Sequence, residues 1–186
     1  MDLDKAIKER HSVRSFKTTK HADWRDIIKA IDAARLAPLA GNISTTRFIL
    51  VTEEDLIEKI ADACTQDFVK DVKFIVVVCS DDSQAGRSYD ERSEKYCRQQ
   101  AGAAIENFLL KIADLGLASC WIGAFADDMV KTALKIPDNI KVEAIFPIGY
   151  EFKKTKQKPK LELEHVLFFN QWKNKYMKPV RKPEAL

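Results

Sequence analysis

The sequence predicts a mixed domain of helices and strands, α/β or α+β. Three observations carry that expectation. Apolar segments follow the order α-α-β-α-β-α-β-α-β, and one helix, at roughly residues 96–115, is much longer than the others. The run KFIVVVC at residues 73–79 is β-branched and continuously apolar, so it reads as a strand covered on both faces. The alternation is too irregular for a doubly wound sheet. Neither G-x-G-x-x-G nor G-x-x-x-x-G-K-[ST] occurs, which argues against nicotinamide or ATP sites of those types.

A first helix is expected over residues 2–9, with Leu3, Ala6 and Ile7 on one face. A second is expected over 23–34, where Trp24, Ile27, Ile28, Ile31 and Ala34 recur at helical spacing. Pro38 and Gly41 then mark a loop, residues 47–51 read as a short buried strand, and 53–64 are helical again. Residues 81–94 are polar and read as a mobile loop in which a helix could begin, ahead of the long helix. That helix carries a wide apolar stripe of Ala101, Ala104, Ile105, Phe108, Leu109 and Ile112, and Gly116 is a good C-terminal stop. Small residues at 101–104 let a second helix approach closely, either within the chain or from another subunit. Residues 119–125 are expected to form a strand leading to Asp127 as an N-cap, and 141–150 to form the last strand.

The chain has 186 residues, 46% hydrophobic and 32% charged, enough to bury a real core as one domain. Only 6 Gly and 6 Pro exclude collagen-like structure, and no apolar run approaches the roughly 20 residues that span a bilayer. The N-terminus has no signal-like apolar core, so a cytoplasmic protein is expected. The net charge of +3 is too small to indicate nucleic acid. Residues 153–182 nevertheless hold ten Lys or Arg against two Glu. That segment reads as a solvated basic face or as a source of one or two anion-binding lysines. The 4 cysteines, at 64, 79, 97 and 120, form no C-x-x-C pair and no zinc-ligand spacing with His11, His21 and His165. Cys79 and Cys120 read as core residues, and no metal site is expected.

The pattern Arg10-x-Ser12-x-Arg14 is the chemically suggestive one. In extended backbone, residues two apart point to one side, and two guanidinium forks with a hydroxyl suit a phosphate. Alone it fits a solvated basic turn equally well. It stands, however, with RHSVRSF at 10–16, APLAGN at 37–42, LGLASCWIGAF at 115–125 and FPIGY at 146–150. In order and spacing these four blocks resemble the FMN-dependent nitroreductase family, and the likeness runs from about residue 3 to 172.

The resemblance implies an α+β nitroreductase-like fold, with a central, mostly antiparallel sheet flanked by helices, in an intertwined homodimer. It places the FMN-binding domain at 1–172 and leaves 173–186 as a basic C-terminal tail. Arg10 and Ser12 would hold the FMN phosphate and ribityl region, with His11 also counted among the cofactor-binding residues. Arg14 would reach the pyrimidine edge of the flavin and stabilise its reduced form. Trp121, Ile122 and Gly123 would lie along the isoalloxazine, and Gly149 would allow a close backbone approach near the phosphate. Asn42 would reach the cofactor of the other subunit. Lys160 would contact the phosphate, with Lys156 and Lys158 as alternatives. No side chain is assigned as catalytic, because flavin N5 carries the chemistry.

The activity implied is an NAD(P)H-dependent flavin oxidoreductase that reduces an electron-poor acceptor, nitroaromatic or quinone, by a ping-pong cycle. Neither nucleic acid nor membrane is an expected partner. A non-enzymatic flavin carrier or redox sensor of the same fold is the alternative. The chain departs from the family pattern at Leu39, where a serine is usual, and at Ser44-Thr45-Thr46, where Gln-Pro-Trp is usual. Residues 81–98 match no recognisable lid. The acceptor is therefore left open.

Overall fold

Four β-branched residues in a row, Ile75 to Val78, commit the central strand to an extended backbone. The computed structural model describes residues 1–83, 85–155 and 157–177, and the chain divides into two compact units, Met1–Thr155 and Lys156–Leu186. In chain order the first unit contains α1 (Leu3–Glu9), α2 (Trp24–Ala34), β1 (Thr46–Val51), α3 (Glu54–Cys64) and β2 (Phe74–Ser80). There follow α4 (Gly86–Tyr89), α5 (Ser93–Asp114), β3 (Ala118–Ser119), α6 (Asp127–Leu134) and β4 (Lys141–Gly149). The strands form one sheet in the order β1-β2-β4-β3, and every pairing is antiparallel. The architecture is the α+β arrangement expected.

Alternation along β2 divides the core. Val76 and Val78 join Ile27, Ala30 and Ala34 of α2 and Ala104, Ile105 and Phe108 of α5 on one face. Ile75, Val77 and Cys79 join Ile57 and Ile60 of α3 and Val130 of α6 on the other. The sheet is thus covered by helices on both faces, which is why β2 carries no polar side chain before Ser80. All six members of the predicted α5 stripe are buried. The helix stops in a Schellman motif: Gly116, at φ 72°, donates to Ala113 O, and Leu117 donates to Ile112 O. Asp2 and Asp23 cap α1 and α2 by accepting from the backbone N–H two residues on. Of the predicted α1 face only Ala6 is buried, while Leu3 and Ile7 stand exposed.

Three expectations need correction. Residues 119–125 do not form a continuous strand. Ile145 exchanges both backbone hydrogen bonds with Ile122, so the odd positions of β4 direct their N–H groups toward β3. Two residues on is Pro147, which has no N–H, and the ladder stops at Ser119. Asp127 is the first residue of α6 rather than its cap; Ala126 occupies the cap position without a side-chain bond, and Asp127 and Asp128 complement the helix dipole instead. Residues 81–94 are not one loop, since α4 and a short 3-10 turn at Asp90–Arg92 lead into α5.

Among its described residues the second unit contains one helical turn, α7 (Leu163–Val166). Beyond it, Phe168 and Trp172 meet edge to face at 4.8 Å, and the Asn174 side-chain amide donates to Phe169 O at 2.7 Å. Leu161, Leu163, Val166 and Trp172 are exposed. The expected basic tail, 173–186, lies outside the described residues from 178 onward. Among the described residues no helix is long and apolar enough to cross a membrane.

Candidate cofactor site

The chain leaves α1 at Arg10 and runs extended along the β3–β4 edge of the sheet. Val13 N–H donates to Ser119 O at 2.9 Å, and Ser12 pairs with Ser119 in a parallel bridge. Lys17 N–H then donates to Tyr150 O at 2.8 Å, and Phe152 N–H to Ser15 O at 2.9 Å. Val13 and Phe16 turn into the core, which leaves Ser12 and Arg14 facing outward. The apolar residues of RHSVRSF are therefore the anchors, and the polar ones are what the anchoring presents.

Arg10 is held loosely, with Nε 3.4 Å from Glu106 Oε1 on α5. Arg14 has no ion pair among the described residues. His11 faces away from this row: its ring nitrogens contact Glu9 O at 2.7 Å and Glu151 Oε1 at 3.0 Å. Beneath the segment, Ser119 Oγ is buried and has no hydrogen-bond partner among the described residues. Burial pushes the Cys120 thiol up, against the pull of the Arg14 charge and a hydrogen bond with Ser12, so it stays a neutral packing group. All four cysteines are buried and unpaired with one another, and burial raises Cys64 and Cys79 to about 11.

Because Pro147 ends the ladder at Ser119, residues 120 and 121 leave the sheet. Trp121 remains 43% exposed, with its ring edge against Phe146 at 5.7 Å. Ile122 returns to the core, and Gly123 is exposed, where a Cβ would stand 4.0 Å from Trp121 Nε1, an ordinary contact. At Gly149 the close approach is made by the protein itself. A Cβ there would lie 3.0 Å from Phe16 Cδ1 and 3.3 Å from Val72 Cγ1, so this glycine lets the Arg10–Phe16 segment dock.

Not all predicted residues are gathered. Asn42 is exposed in the turn before β1, at φ 59°, where the Tyr89 hydroxyl fills the space beside Gly41. Since β1 and β3 are opposite edges of the sheet, three strand spacings, about 14 Å, separate the Asn42 edge from the Arg14 edge. Lys158 and Lys160 are exposed in the second unit, and Lys156 lies outside the described residues. Sequence reasoning missed Glu106, Ser119 and Glu151. The only signal for Ser119 was its place beside Cys120 in the third block; Glu151 directly follows the fourth block without being part of it, and nothing near Glu106 marks a site.

The residues fit a phosphorylated, planar heteroaromatic ligand. Two guanidiniums and an exposed hydroxyl stand in a row, an indole lies open beside them, and a buried hydroxyl lacks a partner among the described residues. The Nitroreductase family profile matches residues 7–72 and 61–150. The chain belongs to that family, and it is an oxidoreductase of the nitroreductase class. It is 33% identical over 151 residues to an Archaeoglobus fulgidus protein that bears a provisional NADH dehydrogenase/NAD(P)H nitroreductase name, covering 78% of this chain and 83% of the relative. It is 28% identical to a nitroreductase family protein from Clostridium novyi NT of known crystal structure, with a TM-score of 0.74 over 94% of this chain and 96% of that one. The NADPH:FMN oxidoreductase of Vibrio harveyi, solved with NAD+, shares the fold at a TM-score of 0.82 and 20% identity, over 92% of this chain and 78% of its own.

Proposed function

We propose that the chain binds one FMN per subunit of a homodimer and passes electrons from NAD(P)H to an electron-poor acceptor such as a quinone or nitroaromatic. The observation that carries this reading is the row Arg10, Ser12 and Arg14, docked on the sheet edge beside the exposed Trp121 in a nitroreductase-family chain. Bound FMN would supply the chemistry itself, a hydride-accepting N5 that serves both half-reactions. Arg10 and Ser12 supply charge-assisted and neutral donors for the phosphate and ribityl groups. Arg14, with no carboxylate paired to it among the described residues, supplies fixed positive charge for the pyrimidine edge, where reduction places negative charge. The Trp121–Gly123 turn gives one wall of the ring site, and its open side admits donor and acceptor in turn. A ping-pong cycle of this kind needs no dedicated acid–base pair. The relatives' names, which pair nitroreductase with NADH or NADPH, support the choice of donor.

Titration with FMN should saturate at one flavin per chain, and the loaded protein should oxidise NADH or NADPH when a quinone is present. Protein that takes up no flavin at micromolar FMN would end this reading. Arg14→Leu should lower the midpoint potential of the bound flavin by tens of millivolts, at about 30 mV for each 1.4 kcal/mol of lost stabilisation in a two-electron couple. An unchanged or raised potential in redox titration would move Arg14 away from the pyrimidine edge.

The homodimer is supported by topology. Asn42 and Arg14 lie on opposite sheet edges, an arrangement that suits a flavin held by Arg14 of one copy and reached by Asn42 of another. Leu3 and Ile7 on α1, and Trp24 and Ile28 on α2, add exposed apolar pairs one turn apart. Light scattering should therefore report the mass of two chains. A flavin-loaded monomer would overturn the shared-site arrangement.

A further inference from the structure

The geometry points to His11 as a positioning residue: its imidazolium, bound to the Glu9 carbonyl and to Glu151, clamps the Arg10–Arg14 segment to the end of β4 and so sets the affinity for FMN. The inference rests on the flavin reading above, and it concerns a link that the family blocks do not contain, since Glu151 follows the last of them. The backbone already ties this segment to the sheet at Val13, Ser15 and Lys17. Between Arg10, where α1 ends, and Val13, the ties are the loose Arg10–Glu106 pair, the Ser12 bridge, the Ser12–Cys120 hydrogen bond and the two His11 contacts. His11 is the side chain that links this stretch to Glu151 at the end of β4.

Glu151 is itself fixed. Its Oε1 accepts from Thr155 N–H at 2.8 Å as well as lying 3.0 Å from His11 Nε2, and both side chains are about one-fifth exposed. With Nδ1 against the Glu9 carbonyl, only the doubly protonated ring can donate at both ends. The charged groups facing the ring are Glu151 from the β4 end and Arg10 from the segment itself. Desolvation opposes the imidazolium, and so does Arg10. The Glu9 carbonyl and the Glu151 carboxylate outweigh them and raise the His11 pKa above 6.5. Desolvation likewise opposes the Glu151 carboxylate, and His11 and Thr155 outweigh it, lowering its pKa. A raised histidine contributes fully below its unfolded value near 6.5 and loses that contribution as pH rises through the folded pKa. The clamp therefore closes at mildly acidic pH and opens on the alkaline side.

The test compares FMN dissociation constants across pH 5.5 to 9 for the wild type, His11→Gln and Glu151→Gln, alongside an NMR titration of the His11 ring in flavin-free protein. A clamp predicts wild-type affinity that falls about ten-fold as His11 deprotonates, the scale of one charge-assisted hydrogen bond. It also predicts that His11→Gln abolishes this fall while keeping the titration due to the FMN phosphate. Glu151→Gln separates the clamp from a direct contact. The clamp requires this change to lower the His11 pKa and weaken FMN at neutral pH. A His11 that touched the phosphate directly would bind FMN as well or better once the neighbouring carboxylate was gone. Unchanged or improved affinity in Glu151→Gln, or a wild-type pH profile retained in His11→Gln, overturns the inference. If the wild type binds no FMN at any pH, the flavin reading fails instead, while the His11 titration still reports whether the pair forms.

Discussion

Phe146→Ala is expected to destabilise the fold by about 3–5 kcal/mol, the range for truncating a fully buried aromatic. Phe146 is completely buried on β4, and its ring meets Phe108 of α5 at 5.6 Å and Trp121 at 5.7 Å. The cost combines lost apolar transfer with a cavity that β4, paired on both sides, cannot collapse to fill. The substitution also removes the support beneath Trp121, so flavin affinity should fall with stability. Urea unfolding of flavin-free protein measures the first effect and FMN titration the second. A loss under about 1 kcal/mol would mean that the Phe108–Phe146–Trp121 stack is not what fixes the wall of the site.

Arg10→Ala should have the opposite profile, a large loss of binding with little loss of stability. Its partner Glu106 is half exposed and 3.4 Å away, so the pair contributes little to folding. Its guanidinium is assigned to the FMN phosphate, where a hydrogen bond to a charged group is worth about 1.5–3 kcal/mol, or roughly ten- to a hundred-fold in affinity. Riboflavin has no phosphate and should bind both proteins alike. Equal losses for the two ligands would remove the phosphate assignment.

The parts of the fold that were legible in the sequence are those in which one local signal is enough. The run of β-branched residues identifies β2, the 3.6-residue stripe and Gly116 identify α5 and its end, and Asp2 and Asp23 mark helix starts. The break in β3 was not legible from its own residues, because SCWIGAF has good strand composition; its cause is Pro147, on the neighbouring strand. The candidate site divides in the same way. Alternation within RHSVRSF suffices to predict that Ser12 and Arg14 share a side, given an extended backbone. No local pattern predicts that Gly149 serves Phe16, or that His11 finds Glu151, 140 residues away. These are consequences of the 10–17 segment docking beside β4.

Anaerobic half-reactions distinguish a flavin-mediated oxidoreductase from a carrier of the same fold. FMN-loaded protein is mixed with NADH or NADPH without oxygen, the flavin absorbance is followed, and a quinone is then added. An oxidoreductase should show bleaching by at least one nucleotide and full return of the colour on adding quinone, each fast enough to support steady-state turnover. Flavin that stays bound and oxidised in the presence of both nucleotides would contradict the oxidoreductase reading.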